Sequence, residues 1–166
     1  QSLKQRGDHC GYNTFMQSTK GLNRIVYGPG NEDLGDIWGG VISYEEQKKA
    51  LQESRVYFYY GTAPASYTLS LIEAMMAGIP IVAAGSRYTK DLYHQNTNEI
   101  EDIIEQGRNG FVGQSIDDLR SSVEFLLKDE NFEEAKRIGQ EGRKTALAMF
   151  SKEVILPQWK SFLDNI

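Results

Sequence analysis

The chain has 166 residues, 40% of them hydrophobic and 25% charged, with a formal net charge of −5. That length suits one domain with a sizeable core. The acidic balance argues against a nucleic-acid partner, whose phosphates call for clustered positive charge. The one cysteine, Cys10, rules out an internal disulfide and fits a reducing, cytoplasmic setting. No apolar run reaches the span of a bilayer, and no secretory leader is visible. The sequence opens at Gln1 rather than at a methionine, so a fragment or processed piece of a longer protein is expected.

Residues 1–21 read as a polar N-terminal segment in which Phe15 and Met16 can anchor one short helix. The folded domain is expected over 22–166. Residues 22–27 read as a strand that Gly28-Pro29-Gly30-Asn31 stops. A short second strand is expected over 39–42. Ser43-Tyr44-Glu45-Glu46 is a capping box, in which Ser43 caps the third amide and Glu46 reaches back. The helix it opens runs to about Gln52, with Ala50 and Leu51 inward.

Residues 55–60 are β-branched and aromatic, as strands favour. A helix over 68–77 follows, with Gly78 as its left-handed stop and Pro80 unable to continue it. The continuous apolar run 79–84 is the mark of a strand covered on both faces. A polar loop is expected over 86–98, a short helix over 99–105, a turn at 107–110 and a short strand over 111–113. Three helices close the chain. The first carries Ile116, Leu119, Val123 and Leu126, and the second Ala135, Ile138, Gly142 and Ala146. The third carries Ile155, Trp159, Phe162 and Leu163, with Pro157 early in it. Strands alternating with helices give the fold class: α/β, a single Rossmann-like domain with a parallel sheet flanked by helices.

Glu73 is the one carboxylate in an otherwise apolar helix. Helix side chains lean toward the N-terminus, so its carboxylate approaches whatever binds there. An ionised carboxylate can accept from both hydroxyls of a ribose. The alternative is that Glu73 lines a solvated face or pairs with an arginine such as Arg55. The small, polar run 63–68 leaves helix-start amides open to a diphosphate. The alternative is that Thr68 or Ser66 simply caps the helix and nothing binds. Gly28 to Gly35 lacks the third glycine of a dinucleotide fingerprint, because Asp33 stands there, and no Walker lysine follows; a tight turn is expected. His9 and His94 are the only histidines, and no Cys/His cluster has metal spacing.

Five pieces occur together. They are Val26-Tyr27-Gly28-Pro29-Gly30, Gly40-Val41-Ile42-Ser43 before a Glu-rich helix, the dense run from Ser70 to Ala83, Gly107-Arg108-Asn109-Gly110-Phe111-Val112, and Ile138 to Arg143 with Phe150-Ser151. In order and spacing they resemble the C-terminal, donor-binding half of the GT-B retaining glycosyltransferases of family 4 (glycosyl transferases group 1), over about 22–163. The resemblance implies that Glu73 holds the nucleotide ribose. It implies that the amides of Thr68 and Leu69, with Tyr67 before them, meet the diphosphate, and that Val41 and Ser43 pack on the base. Gly28 and Gly30 complete the expected donor contacts. Lys4 and Arg6 are the candidates for the family's basic residue, with Arg6 preferred. The family's first motif glutamate, which contacts the donor sugar, would fall at Ala65. No catalytic residue is assigned.

The function so implied is sugar transfer from a UDP- or GDP-linked donor, with retention and without metal or cofactor. It would take place once the domain is joined to an N-terminal acceptor-binding domain, with this chain alone inactive. Cell-surface polysaccharide synthesis is the implied setting. Peripheral contact with the inner membrane face would come through that missing half, and a homodimer is a further implied partner. The alternative is a catalytically degenerate or separate-subunit nucleotide-binding module.

Overall fold

The computed structural model describes residues 3–62, 65–93 and 99–165. Its sheet consists of β1 (Tyr57–Tyr59), β2 (Ile81–Ala84) and β3 (Phe111–Gly113), parallel and adjacent in that order. Phe58 stands beside Val82, and Val82 beside Phe111. Around the sheet run α1 (Leu3–Arg6), α2 (Tyr12–Ser18), α3 (Tyr44–Glu53), α4 (Leu69–Ala77) and α5 (Ser86–Tyr93). The remaining helices are α6 (Ile100–Ile103), α7 (Ile116–Leu127), α8 (Phe132–Phe150) and α9 (Lys152–Leu163).

β2 explains why the apolar run had to be continuous. Strand side chains alternate between faces. Ile81 and Ala83 enter a cluster with Leu71, Met75, Ile100 and Ala146. Val82 and Ala84 enter a second cluster with Leu119, Val123, Leu126 and Ile138. Helices α4, α6 and the end of α8 therefore cover one face, and α7 with the start of α8 covers the other. This central strand has no solvent face, so no polar residue interrupts it.

Several expectations need correction. The strand over 22–27 shrinks to a single parallel bridge between Val26 and Trp38, and no strand forms over 39–42. The Val26 amide donates to Ile37 and the Gly39 amide to Val26, but the Gly28 amide, at φ 112°, then reaches the Gly40 carbonyl one residue out of register, and Ile25 and Tyr27 stay exposed. The strand over 55–60 is confined to three residues. The polar loop over 86–98 is instead helical from Ser86 to Tyr93. Its cap comes from Glu101, whose Oε1 accepts from the Ser86 amide and hydroxyl, both at 2.9 Å. A cap supplied fifteen residues downstream leaves no local signature. His94 lies outside the described residues. The N-terminal segment carries α1 as well as α2, and α2 packs on α7. Of the two places open to Pro157, starting the last helix or kinking it from within, it takes the one inside α9.

Candidate functional site

The helix that carries Glu73 follows β1 after residues 60–68. Thr68 is its N-cap residue in extended backbone, but its side chain caps no amide. Instead its hydroxyl lies 2.7 Å from that of Ser70. The simple capping alternative for Thr68 therefore does not hold. Leu69 opens the first turn at 76% exposure. The helix start is thus apolar, accessible and without a side-chain cap, and it carries the positive end of the helix dipole.

Two tyrosines of β1 stand under this turn. Tyr57 is half-buried close to Ser70 and Glu73. Burial pushes its phenol up; Ser70 pulls it down and the Glu73 charge pushes it further up. Tyr59 is 4% exposed, and among the described residues no partner closes a hydrogen bond on its hydroxyl. That hydroxyl points along Gly61, where an added Cβ would come within 3.2 Å of it. Burial raises the Tyr59 phenol, while Thr68 beside it pulls the other way.

Glu73 sits half-buried one turn further along α4. Gln47 of α3 donates from Nε2 to Glu73 Oε2 at 3.4 Å. Arg55 is engaged elsewhere. Its guanidinium donates to the carbonyls of Leu126 and Lys128 at 3.3 and 3.2 Å and lies over the Phe132 ring. The expected alternative of an Arg55–Glu73 pair is therefore absent.

The other predicted residues take varied places. Tyr67 turns its ring onto Phe150, at 5.5 Å between centroids, and joins the first core cluster. Val41 is 65% exposed. Ser43 spends its hydroxyl in the capping box that the sequence predicts, accepting from the Glu46 amide while Glu46 accepts from Ser43. Gly28 and Gly30, both at positive φ, form a turn bonded to itself: Trp38 Nε1 and Asn31 Nδ2 donate to the Gly28 carbonyl, and the Gly30 amide donates to Glu32. Arg6 ends α1, half-buried, and Lys4 reaches Asp33 at 3.9 Å. Glu73, Thr68 and Leu69 thus share one helix, with α3 alongside. Gly28, Gly30 and Arg6 belong to a second group, tied by the bond from the Leu3 amide to Asn31 Oδ1. Ala65 is exposed, and its amide donates to the Thr62 carbonyl. Among the described residues no three His, Cys, Asp or Glu side chains gather as metal ligands.

An uncapped helix N-terminus beside a parallel sheet offers free amides and the positive end of a dipole to an anion, with an acid one turn along. The model of a family described as glycosyl transferase-like matches residues 13–159. The chain belongs to that family.

Among solved structures, this glycosyl transferase-like chain is similar to Anabaena Alr3699/HepE in complex with UDP and glucose. The TM-score is 0.71 at 19% identity, over 100% of this chain and 47% of that one. It is also similar to sucrose-phosphate synthase from Thermosynechococcus elongatus, with TM-score 0.61 at 22% identity, over 80% and 31% of the two chains. A third is the catalytic domain of cholesterol-α-glucosyltransferase from Helicobacter pylori, with TM-score 0.61 at 19% identity, over 86% and 92%. The chain spans less than half the length of the first two. These likenesses establish the GT-B Rossmann-like fold. No curated protein matches the sequence.

Gln47 and Tyr57 were not among the predicted site residues. Gln47 had a legible signal, since it lies four residues before the inward Leu51 and so on the same helix face. Tyr57 had none, because aromatic residues are ordinary in a buried strand. No helix among the described residues is long and apolar enough to cross a membrane.

Proposed function

We propose that the chain is the donor-binding half of a retaining, metal-independent glycosyltransferase that takes a UDP-linked sugar. One observation carries this reading: the start of α4 is accessible and has no side-chain cap, and Glu73 follows it on the same helix. The diphosphate would meet the Thr68 and Leu69 amides and the helix dipole. The Glu73 carboxylate would accept from the ribose hydroxyls, and exposed Val41 would pack on the base. Catalysis in such a site is positioning together with charge stabilisation at the leaving diphosphate. UDP is preferred over GDP because several structural neighbours were solved with it.

Acceptor binding would fall to an N-terminal domain, in keeping with neighbours about twice as long. In the full protein that domain would bring the enzyme to the cytoplasmic face of a membrane. The exposed face of α9, with Trp159, Phe162 and Leu163, offers it apolar surface, and a homodimer is the alternative cover.

The test is calorimetric titration with UDP, GDP and ADP. Saturable binding of UDP is expected, weakened in Glu73→Ala by about 1–3 kcal/mol, as for a charge-assisted contact. Absence of binding by all three, in this chain and in a longer protein containing it, would overturn the reading.

A second reading rests on Ala65, exposed at the place of the family's first motif glutamate. Under it the domain binds nucleotide without transferring sugar. Nucleotide binding combined with no sugar transfer or donor hydrolysis by the longer protein would select this reading.

A further inference from the structure

We infer that Gln47 is a positioning residue for Glu73, holding its carboxylate in the orientation that a nucleotide ribose requires. The inference rests on the reading of Glu73 as the ribose acceptor.

Three observations lead to it. Within α3 only Gln47, Ala50 and Leu51 escape full exposure, and they form one stripe against the domain. Leu51 packs on the first core cluster. An amphipathic helix calls for apolar residues on such a stripe, so a half-buried glutamine there breaks the local pattern and needs a partner. Its amide finds one across the helix pair, Glu73 Oε2 at 3.4 Å. The register that delivers it is fixed independently: the Ser43–Glu46 capping box sets the first turn of α3, and Gln47 is the next residue.

A free glutamate loses substantial rotamer freedom on being fixed, a cost of up to about 2 kcal/mol that a ligand would otherwise meet on binding. Here the site meets it beforehand. Gln47 bounds the carboxylate from α3, and the half-buried Tyr57 phenol of β1 lies close enough to feel its charge. An ionised carboxylate has roughly four lone-pair sites, so one bond from Gln47 leaves capacity for two ribose hydroxyls. Gln47 acts through Glu73 and needs no contact with the ligand.

The experiment titrates UDP and 2′,3′-dideoxy-UDP onto the wild-type chain and four variants: Gln47→Leu, Gln47→Glu, Glu73→Gln and the Gln47→Leu/Glu73→Gln double variant. Thermal melts check that each is folded. Gln47→Leu should weaken UDP about fivefold, the scale of one hydrogen bond. Gln47→Glu, nearly the same shape but a second negative charge, should weaken it at least as much. The dideoxy nucleotide should bind the wild type and Gln47→Leu equally, because it lacks the hydroxyls. In the Glu73→Gln background, Gln47→Leu should add nothing. Binding of UDP that depends on Glu73 but is unchanged in Gln47→Leu overturns the inference alone. Equal losses for both nucleotides, or additive losses in the double variant, do the same, since they mark a merely structural side chain. No UDP binding by the wild type, or binding indifferent to Glu73→Gln, overturns the site reading and the inference together.

Discussion

Gly139 of α8 meets Gly78, the left-handed stop of α4, so closely that a Cβ on Gly139 would lie 2.1 Å from the Gly78 carbonyl oxygen. The α4–α8 crossing is the most extensive helix contact among the described residues, and it helps set where the helix carrying Glu73 sits on the sheet. Gly139→Ala has no room to add its methyl without parting the two helices. Alanine's better helix propensity offsets less than about 1 kcal/mol. A net loss of about 2 kcal/mol or more is expected from overpacking against rigid backbone, read as a lowered urea midpoint. Gly142→Ala, whose Cβ would stand 3.0 Å from the Asn109 carbonyl, should cost less.

Asn109 holds the turn between α6 and β3. It is 4% exposed; its Nδ2 donates to the Ile103 carbonyl at 3.0 Å and to Thr145 Oγ1 at 2.9 Å, and its Oδ1 accepts from the Glu105 amide at 2.7 Å. Asn109→Ala strands those groups in a buried setting and should cost about 2–4 kcal/mol. Asn109→Asp sets a carboxylate oxygen against the Ile103 carbonyl in a buried setting and should cost at least as much as Asn109→Ala. Chemical denaturation ranks the three proteins.

Arg55 closes the C-terminal end of α7 through three carbonyls, those of Leu126, Leu127 and Lys128. Its charge also complements the negative end of that helix dipole. Arg55→Ala should lower stability by about 1–2 kcal/mol while leaving nucleotide affinity unchanged. A change in affinity would link Arg55 to Glu73 after all, against the observed geometry.

Glu101 accepts from the Ser86 amide and hydroxyl and from Gln114 Nε2. Burial alone would raise its carboxyl, but these bonds outweigh it and hold the folded-state pKa below the ordinary value. The unfolded chain titrates near 4.3. A depressed folded pKa contributes stability that is complete above the unfolded value and is lost as pH falls through the folded one. Acidification below about pH 4 should therefore destabilise the wild type more than Glu101→Gln, with their melting temperatures converging. Parallel pH profiles would show that the carboxylate is not what caps α5.

The α/β alternation, the doubly covered strand at Ile81–Ala84, the Ser43–Glu46 capping box, the Gly78 stop and the candidate acid at Glu73 are legible in the residues alone. Each is specified by residues within one or two turns of one another, so periodicity and cap chemistry expose them. Tertiary structure decided what depended on distant partners. The bridge at Val26 stayed a bridge because the pairing slips by one residue just beyond Trp38, where the Gly28 amide bonds to Gly40. Residues 86–93 became helix because Glu101 arrived to cap them. Arg55 went to the end of α7 and Gln47 to Glu73, because side chains of that length take the nearest unsatisfied group that packing supplies. Sequence spacing names the groups that can bond; only the folded chain chooses between them.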